Sequence, residues 1–302
     1  MHSYIPGYIR ARQTGRLKQA VQQALDMLSS CTLCPRQCRV DRTGDETGYC
    51  GAGRQAKVAS FSPHFGEEPP LVGDHGSGTI FFSCCNLQCV FCQNHEISIQ
   101  GEGHILFPNQ LAAMMIRLQE QGCHNINFVT PTHVVPQILE ALERAVDLGL
   151  RIPLVYNCSG YESPDTLALM DGIIDIYMPD FKFWDNAAAG RFCNAPDYRE
   201  TARAAISAMH AQVGDLKMDD AGIACSGLLV RHLVMPGRLE DTRQILEFLK
   251  TSVSPDTHVN LMSQYRPMGE AYRFSDLCHP LSVAQFRQAL DMAKDSGLNL
   301  IR

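Results

Sequence analysis

Six short apolar runs, at residues 79–82, 126–129, 153–156, 173–178, 228–234 and 258–262, alternate along the chain with stretches of helical periodicity. The helical stretches are 109–121, 136–148, 164–170, one within 197–213, and 239–250. The first two run into Gly122 and Gly149, the residue type that commonly ends a helix. A last helix begins at Ser282, with Gln285 three residues on and Leu281 placed to staple onto Phe286. Val283, Phe286, Leu290 and Ala293 form its apolar face. Strands that are apolar throughout, and that alternate with helices, imply a parallel sheet covered on one or both faces. The fold class is therefore α/β. Periodicity leaves open whether six such units curl into an open, partial (β/α)6 barrel or lie as a doubly wound sheet.

The first apolar run leads into Ser83-Cys84-Cys85-Asn86-Leu87-Gln88-Cys89-Val90-Phe91-Cys92-Gln93-Asn94. Cys85, Cys89 and Cys92 stand at Cys-x3-Cys-x2-Cys spacing, with an aromatic residue just before the last thiol. Iron-sulfur clusters are usually held by four thiolates, so a compact trio implies a cluster with one iron left open. An open metal position is where a substrate binds. The plainer readings are a structural zinc loop or three packed cysteines. Zinc sites more often pair two Cys-x2-Cys knuckles, and free cysteines seldom crowd so closely. This spacing, with Phe91, resembles the signature of the radical S-adenosylmethionine (radical SAM) superfamily. The resemblance implies a (β/α)6 partial barrel and a [4Fe-4S] cluster on Cys85, Cys89 and Cys92. It also implies that the open iron binds the amino and carboxylate groups of S-adenosylmethionine. Reductive cleavage of the sulfonium then yields a 5′-deoxyadenosyl radical that abstracts a hydrogen atom.

Before the barrel, residues 1–15 read as irregular, and Leu17, Ala20, Val21, Ala24, Leu25 and Leu28 then fall at helical spacing. Cys31, Cys34, Cys38 and Cys50 follow within a loop-rich stretch. Four such thiols suit tetrahedral zinc or a second iron-sulfur cluster, and spacing does not choose between them. Either would staple a segment too short to fold on its own apolar area. Residues 56–78, with Pro63, Pro69, Pro70 and several glycines, read as a connector. The expected division is an N-terminal helix and cysteine-rich metal-binding segment over 1–77 and the barrel over 78–302. Cys84, Cys123, Cys158, Cys193, Cys225 and Cys278 show no ligand spacing, and Met114, Met115 and Met262 read as core filling.

Parallel barrels carry their chemistry on the loops after their strands, and the cysteine loop occupies that position. Polar residues at later strand ends should face the same mouth. Thr130-Pro131-Thr132-His133 follows the second strand, where the glycyl-radical-enzyme activases that the chain resembles carry a Gly-Gly-Glu-type segment; the glutamate is absent here. Thr130 and Thr132 can still hydrogen-bond a ligand, although Thr132 as a helix cap explains it equally. His133 is either a substrate contact or a surface residue. Asn157 and Ser159, after the third strand, suit ribose or carboxylate contacts, or simply a turn. Strand alternation puts Asp180 and Lys182 on one face, where two charges at an apolar strand end are costly unless paired or used. Arg231 and His232 must face opposite ways. Asp180-Phe181-Lys182, and the run Val230-Arg231 to Pro236-Gly237, resemble segments of pyruvate formate-lyase activating enzyme-like proteins. There Arg231 would meet a carboxylate, the alternative being a buried ion pair with Asp180. The resemblance assigns Phe91, Asn94, Thr130, Thr132, Asn157, Ser159, Asp180, Lys182 and Arg231 to S-adenosylmethionine. Gln264 and Tyr265, after the sixth strand, are further candidates for a substrate.

Composition narrows the classes. A chain of 302 residues with 45% hydrophobic content can bury a full core. A formal charge of -6 offers no basic field, which argues against a nucleic-acid partner. No apolar run is long enough to span a bilayer, and the first segment lacks the apolar middle of a signal peptide. Thirteen cysteines without secretion signals point to metal ligation in a reducing cytoplasm. The expectation is a cytoplasmic radical SAM oxidoreductase supplied with electrons by a ferredoxin or flavodoxin, with a glycyl radical enzyme as one candidate partner. The alternatives are radical modification of a peptide or small molecule, and a non-catalytic iron-sulfur or zinc protein.

Overall fold

The structure is a computed structural model and describes residues 4–301. Its strands are β1 (Ala56–His64), β2 (Ser77–Phe82), β3 (His104–Leu106), β4 (Ile126–Val129), β5 (Leu154–Cys158), β6 (Ile176–Pro179), β7 (Lys217–Met218), β8 (Ala224–Leu233), β9 (His258–Met262) and β10 (Asn299–Leu300). Its α-helices are α1 (Gly7–Gln13), α2 (Arg16–Asp26), α3 (Pro69–Val72), α4 (His95–Ser98), α5 (Pro108–Glu120), α6 (Val135–Asp147), α7 (Pro164–Met170), α8 (Asn186–Cys193), α9 (Tyr198–Val213), α10 (Leu239–Phe248) and α11 (Val283–Ser296).

The strands form one sheet in the order β10-β9-β8-β6-β5-β4-β2-β1-β3, with β7 paired to β8. From β2 to β10 along this path every pairing is parallel, and each strand lies beside the next parallel strand of the chain. A doubly wound sheet reverses its order at a switch point. This one never does. Right-handed crossovers taken always in one direction put the connecting helices on one face, so the sheet wraps about the other as a partial barrel. The path ends at β3 and β10, which do not pair, and the barrel stays open.

The helices form where the sequence favours them. Proline stands in the first turn of α5, α6 and α7, where its missing N–H is no loss. Gly122 and Gly149 follow α5 and α6 at φ of 89° and 101°. Leu111, Met115 and Leu118 of α5 and Ile138 and Leu142 of α6 are buried in the same core as Ile126, Phe128 and Leu154 of the sheet. Each such side chain contributes roughly 1.5–3 kcal/mol. Among the described residues no helix is long and apolar enough to cross a membrane.

Two expectations are corrected. The first fifteen residues contain α1, while residues 1–3 lie outside the described chain. Its reasons are tertiary: Tyr8 is fully buried and donates to the Ile152 carbonyl at 2.9 Å, and Asp175 accepts the Gly7 N–H at 2.8 Å. The second concerns 56–78, whose first part is β1, antiparallel to β2, rather than a connector. Beyond Val58 its outer edge is unpaired, so Pro63 costs no ladder hydrogen bond.

Candidate active site

At the end of β2 the chain turns out of the sheet, with Cys84 and Gln88 in the left-handed region at φ of 73° and 54°. Such backbone persists only where its surroundings over-determine it. Here the Cys84 N–H donates to Ile97 O at 2.9 Å, the Val90 N–H to Phe192 O at 2.9 Å, and Asn86 Nδ2 to Tyr161 O at 2.8 Å. The loop so fixed brings Cys85, Cys89 and Cys92 to the wall of one cavity of about 430 Å³. That volume is typical of small-molecule sites.

The three thiols are unfavourable places for an isolated negative charge. Burial pushes Cys85 up to about 12, and it raises Cys92 as well. Cys89 is raised by the hydrogen bond from Cys193, whose sulfur is 3.3 Å away, and then by burial. Only a bound cation would keep all three as thiolates. Two donors already aim at the sulfurs: Ser98 Oγ lies 3.1 Å from Cys92 Sγ and the Leu87 N–H 3.3 Å from Cys85 Sγ. Among the described residues no three His, Cys, Asp or Glu side chains close around a point that one ion would occupy. Thiols spread along a cavity wall fit a cluster, whose irons are separately ligated.

Eight other candidates line the same cavity: Phe91, Asn94, Thr130, Asn157, Ser159, Asp180, Lys182 and Arg231. The sheet register explains why. Phe81 pairs with Val129, Val129 with Asn157 and Asn157 with Met178, so the strand ends stand level. Thr130 sits at φ of 60°, an unusual conformation for a β-branched residue. Asp180, Lys182 and Arg231 form one half-buried network. Arg231 Nε donates to Asp180 Oδ1 at 2.8 Å and Nη2 to Asn157 Oδ1 at 2.7 Å, while Lys182 Nζ lies 2.5 Å from Asp180 Oδ2. Burial alone would raise the Asp180 carboxyl, but Arg231 and Lys182 outweigh it and hold it below its ordinary value. Arg231 and His232 do face opposite ways, His232 being buried against Thr242 of α10. The ion pair with Asp180 and a place on the cavity are thus both true of Arg231.

Thr132 is not brought to the cavity. Its hydroxyl donates to Glu162 at 2.7 Å inside the protein, because the chain has left β4 for a 3-10 turn and strand alternation no longer applies. His133 is neither surface nor mouth; it is buried with Nε2 2.8 Å from Ser83 O. Sequence reasoning missed Glu67, which the supposed connector brings to the cavity, and Cys158. Glu67 lies 3.5 Å from Arg231, and burial raises its carboxyl in spite of that cation. Cys193, at the end of α8, stands behind Cys89 rather than on the cavity wall. Gln264 reaches the cavity, while Tyr265 is buried edge-on against Phe91.

Comparison with known proteins follows this geometry. The chain is 32% identical over 291 residues to the uncharacterized protein MJ0674 of Methanocaldococcus jannaschii, covering 93% of this chain and 79% of that protein. Likeness to solved structures is looser. Streptococcus suis SuiB bound to precursor peptide SuiA aligns with a TM-score of 0.46 at 10% identity, over 72% of this chain and 46% of that one. A domain of pyruvate-formate lyase-activating enzyme from Bacteroides vulgatus aligns with a TM-score of 0.37 at 15% identity, over 64% of this chain and 89% of that one. A family model described as the radical SAM superfamily matches residues 79–249, more than half of the chain, from within β2 through α10. Its members are characterised by S-adenosylmethionine and a [4Fe-4S] cluster, and by that match the protein belongs to the radical SAM superfamily.

Proposed function

We propose that Cys85, Cys89 and Cys92 hold a [4Fe-4S] cluster with one iron free for S-adenosylmethionine, and that the protein abstracts a hydrogen atom from a substrate admitted to the same cavity. The observation that carries this reading is the meeting of buried Cys85 and Cys89, half-buried Cys92 and the Asp180-Lys182-Arg231 network on one cavity. When bound, the cluster and S-adenosylmethionine supply reductive cleavage of the sulfonium to a 5′-deoxyadenosyl radical. The protein's part is to orient and to exclude water. Lys182 and Arg231 offer cations for a carboxylate, and Glu67 and Asp180 offer acceptors for an ammonium. Asn157 and Ser159 stand ready for hydroxyl groups, and Phe91 gives the thiol loop an aromatic floor. Thr132 supports this wall from behind through Glu162.

The finer reading is that of a pyruvate formate-lyase activating enzyme-like protein, acting on a glycine of a partner enzyme with electrons from a ferredoxin or flavodoxin in the cytoplasm. Asp180-Phe181-Lys182 and the strand bearing Arg231 support it by their resemblance to that group. Anaerobic reconstitution followed by dithionite and S-adenosylmethionine tests the reaction. The parent protein should form 5′-deoxyadenosine, and the Cys85→Ala, Cys89→Ala, Cys92→Ala triple variant should form none. Full iron loading of the parent without that product would return the chain to the non-catalytic class. A glycyl doublet in the EPR spectrum with a candidate partner would mark an activase. Its absence with every partner, beside continued 5′-deoxyadenosine formation, would favour a peptide or small-molecule substrate.

A further inference from the structure

Cys31, Cys34, Cys38 and Cys50 surround a small pocket apart from the active-site cavity, closed by Leu33, Val40, Arg42 and His133. All four are free; Cys31 and Cys34 are buried and the other two half-buried. The segment is built to bring them together. Gly48 lies so close to Cys38 that a Cβ there would stand 2.7 Å from the Cys38 sulfur, and this approach lets the chain fold back to present Cys50.

Two features call for negative charge in the pocket. Arg42 is fully buried, and its guanidinium donates to the carbonyls of Gly53 at 2.8 and 3.1 Å and His133 at 2.8 Å and, through Nη1, to the Cys31 sulfur at 3.9 Å. No carboxylate pairs with it among the described residues. A buried cation is costly unless an anion accompanies it. The nearest groups able to become anions are the thiols. A backbone amide also faces them, the Tyr49 N–H donating to Cys38 Sγ at 3.3 Å.

The remaining choice is between one metal ion and a cluster. Around zinc the sulfurs sit ~2.3 Å from the ion and so roughly 3.8 Å from one another, leaving no space at the centre. Here the thiols line a pocket that keeps an open volume of about 10 Å³, so they stand farther apart than sulfurs gathered on one zinc ion. No three of them close on a single point. We propose that this pocket holds a second [4Fe-4S] cluster, ligated by all four cysteines and therefore with no iron open to S-adenosylmethionine. Its ligand segment is tied directly to the catalytic loop. Arg36 Nε donates to Asn86 O at 2.9 Å, Gln88 Nε2 to Tyr49 O at 2.8 Å, and His133 lines the pocket while bonding Ser83 O.

This assignment does not rest on the catalytic reading, and one preparation separates the two. The full-length Cys85→Ala, Cys89→Ala, Cys92→Ala variant, reconstituted anaerobically with iron and sulfide, should retain about four irons and four sulfides per chain, without zinc. After dithionite its EPR signal should not change when S-adenosylmethionine is added. The parent should hold about eight irons, and replacing Cys31, Cys34, Cys38 and Cys50 by alanine should remove about four. One zinc and no iron in the triple variant, or no metal at all, overturns the proposal whether or not the N-terminal variant folds. A parent that makes no 5′-deoxyadenosine, beside a triple variant that keeps its four irons, would instead sink only the catalytic reading.

Discussion

Glu162 lies wholly inside the protein, accepting hydrogen bonds from Thr132 at 2.7 Å and Tyr156 at 3.0 Å, and burial pushes its carboxyl up to about 7. The unfolded chain releases this proton near the ordinary value of 4.5, so between these limits the folded state binds more protons. Its contribution is therefore fully present below about 4.5 and is lost as pH rises to about 7, a change of about 3 kcal/mol. Buried His133 and His232, each lowered to about 4 by burial first, act in the opposite sense over an overlapping range. The difference between the parent and Glu162→Gln in urea unfolding isolates the glutamate. That difference should shrink from pH 4.5 to 7 and then stay level; parallel curves would contradict it. Asp180 is a different case, an anion between two half-buried cations. Asp180→Asn leaves Lys182 without its carboxylate and Arg231 with only the longer contacts to Glu67 and Glu68 at 3.5 and 3.9 Å, and chemical denaturation should show a loss of about 3 kcal/mol.

At the level of elements, the turn after β5 depends on Gly160. Its φ is 74°, and an added Cβ would stand 2.6 Å from the Asp180 carbonyl. Gly160→Ala should cost about 1–3 kcal/mol in denaturant melts and weaken S-adenosylmethionine binding measured by calorimetry, since Ser159 and Asp180 both move. The elements that were legible in the sequence are those whose own residues decide their conformation. β4, β9 and α7 have the bounds that periodicity predicts, and Ser282 does cap α11, its hydroxyl accepting the Gln285 N–H at 3.2 Å. β1 was not legible because its register shifts between Val58 and Ser60, its residues pass from buried Ala56 and Val58 to exposed Ser60 and Ser62, and its outer edge is mostly unpaired, so it shows neither an apolar run nor clean alternation. α1 is held by contacts to Ile152 and Asp175, far away in sequence. In the site, strand-end position gave access to Thr130, Asn157, Asp180 and Arg231, whereas Thr132 failed once the strand had ended. Cys193 could not be found by spacing, since it meets Cys89 only through the docking of α8.

For the whole molecule, Arg36 joins three regions. Its guanidinium bonds the carbonyls of Asn86, Cys193 and Asn194 and lies 4.0 Å from the Tyr49 ring centre and 5.1 Å from that of Tyr161. Arg36→Ala should cost roughly 3 kcal/mol and hasten iron loss to a chelator from the Cys85-Cys89-Cys92 site, followed by absorbance. A stable variant that keeps its iron as well as the parent would show that the catalytic loop stands by itself. The order of the strands has one more outcome, for a chain still being made. From β2 onward each β/α unit can settle on the unit synthesised just before it, because neighbours in sequence are neighbours in space. The helix α2, by contrast, packs on α6 and α7, which leave the ribosome much later. The sulfurs of Cys31, Cys34, Cys38 and Cys50 are thus born first and enclosed late, and a cluster placed there, as proposed above, would have that interval in which to be inserted.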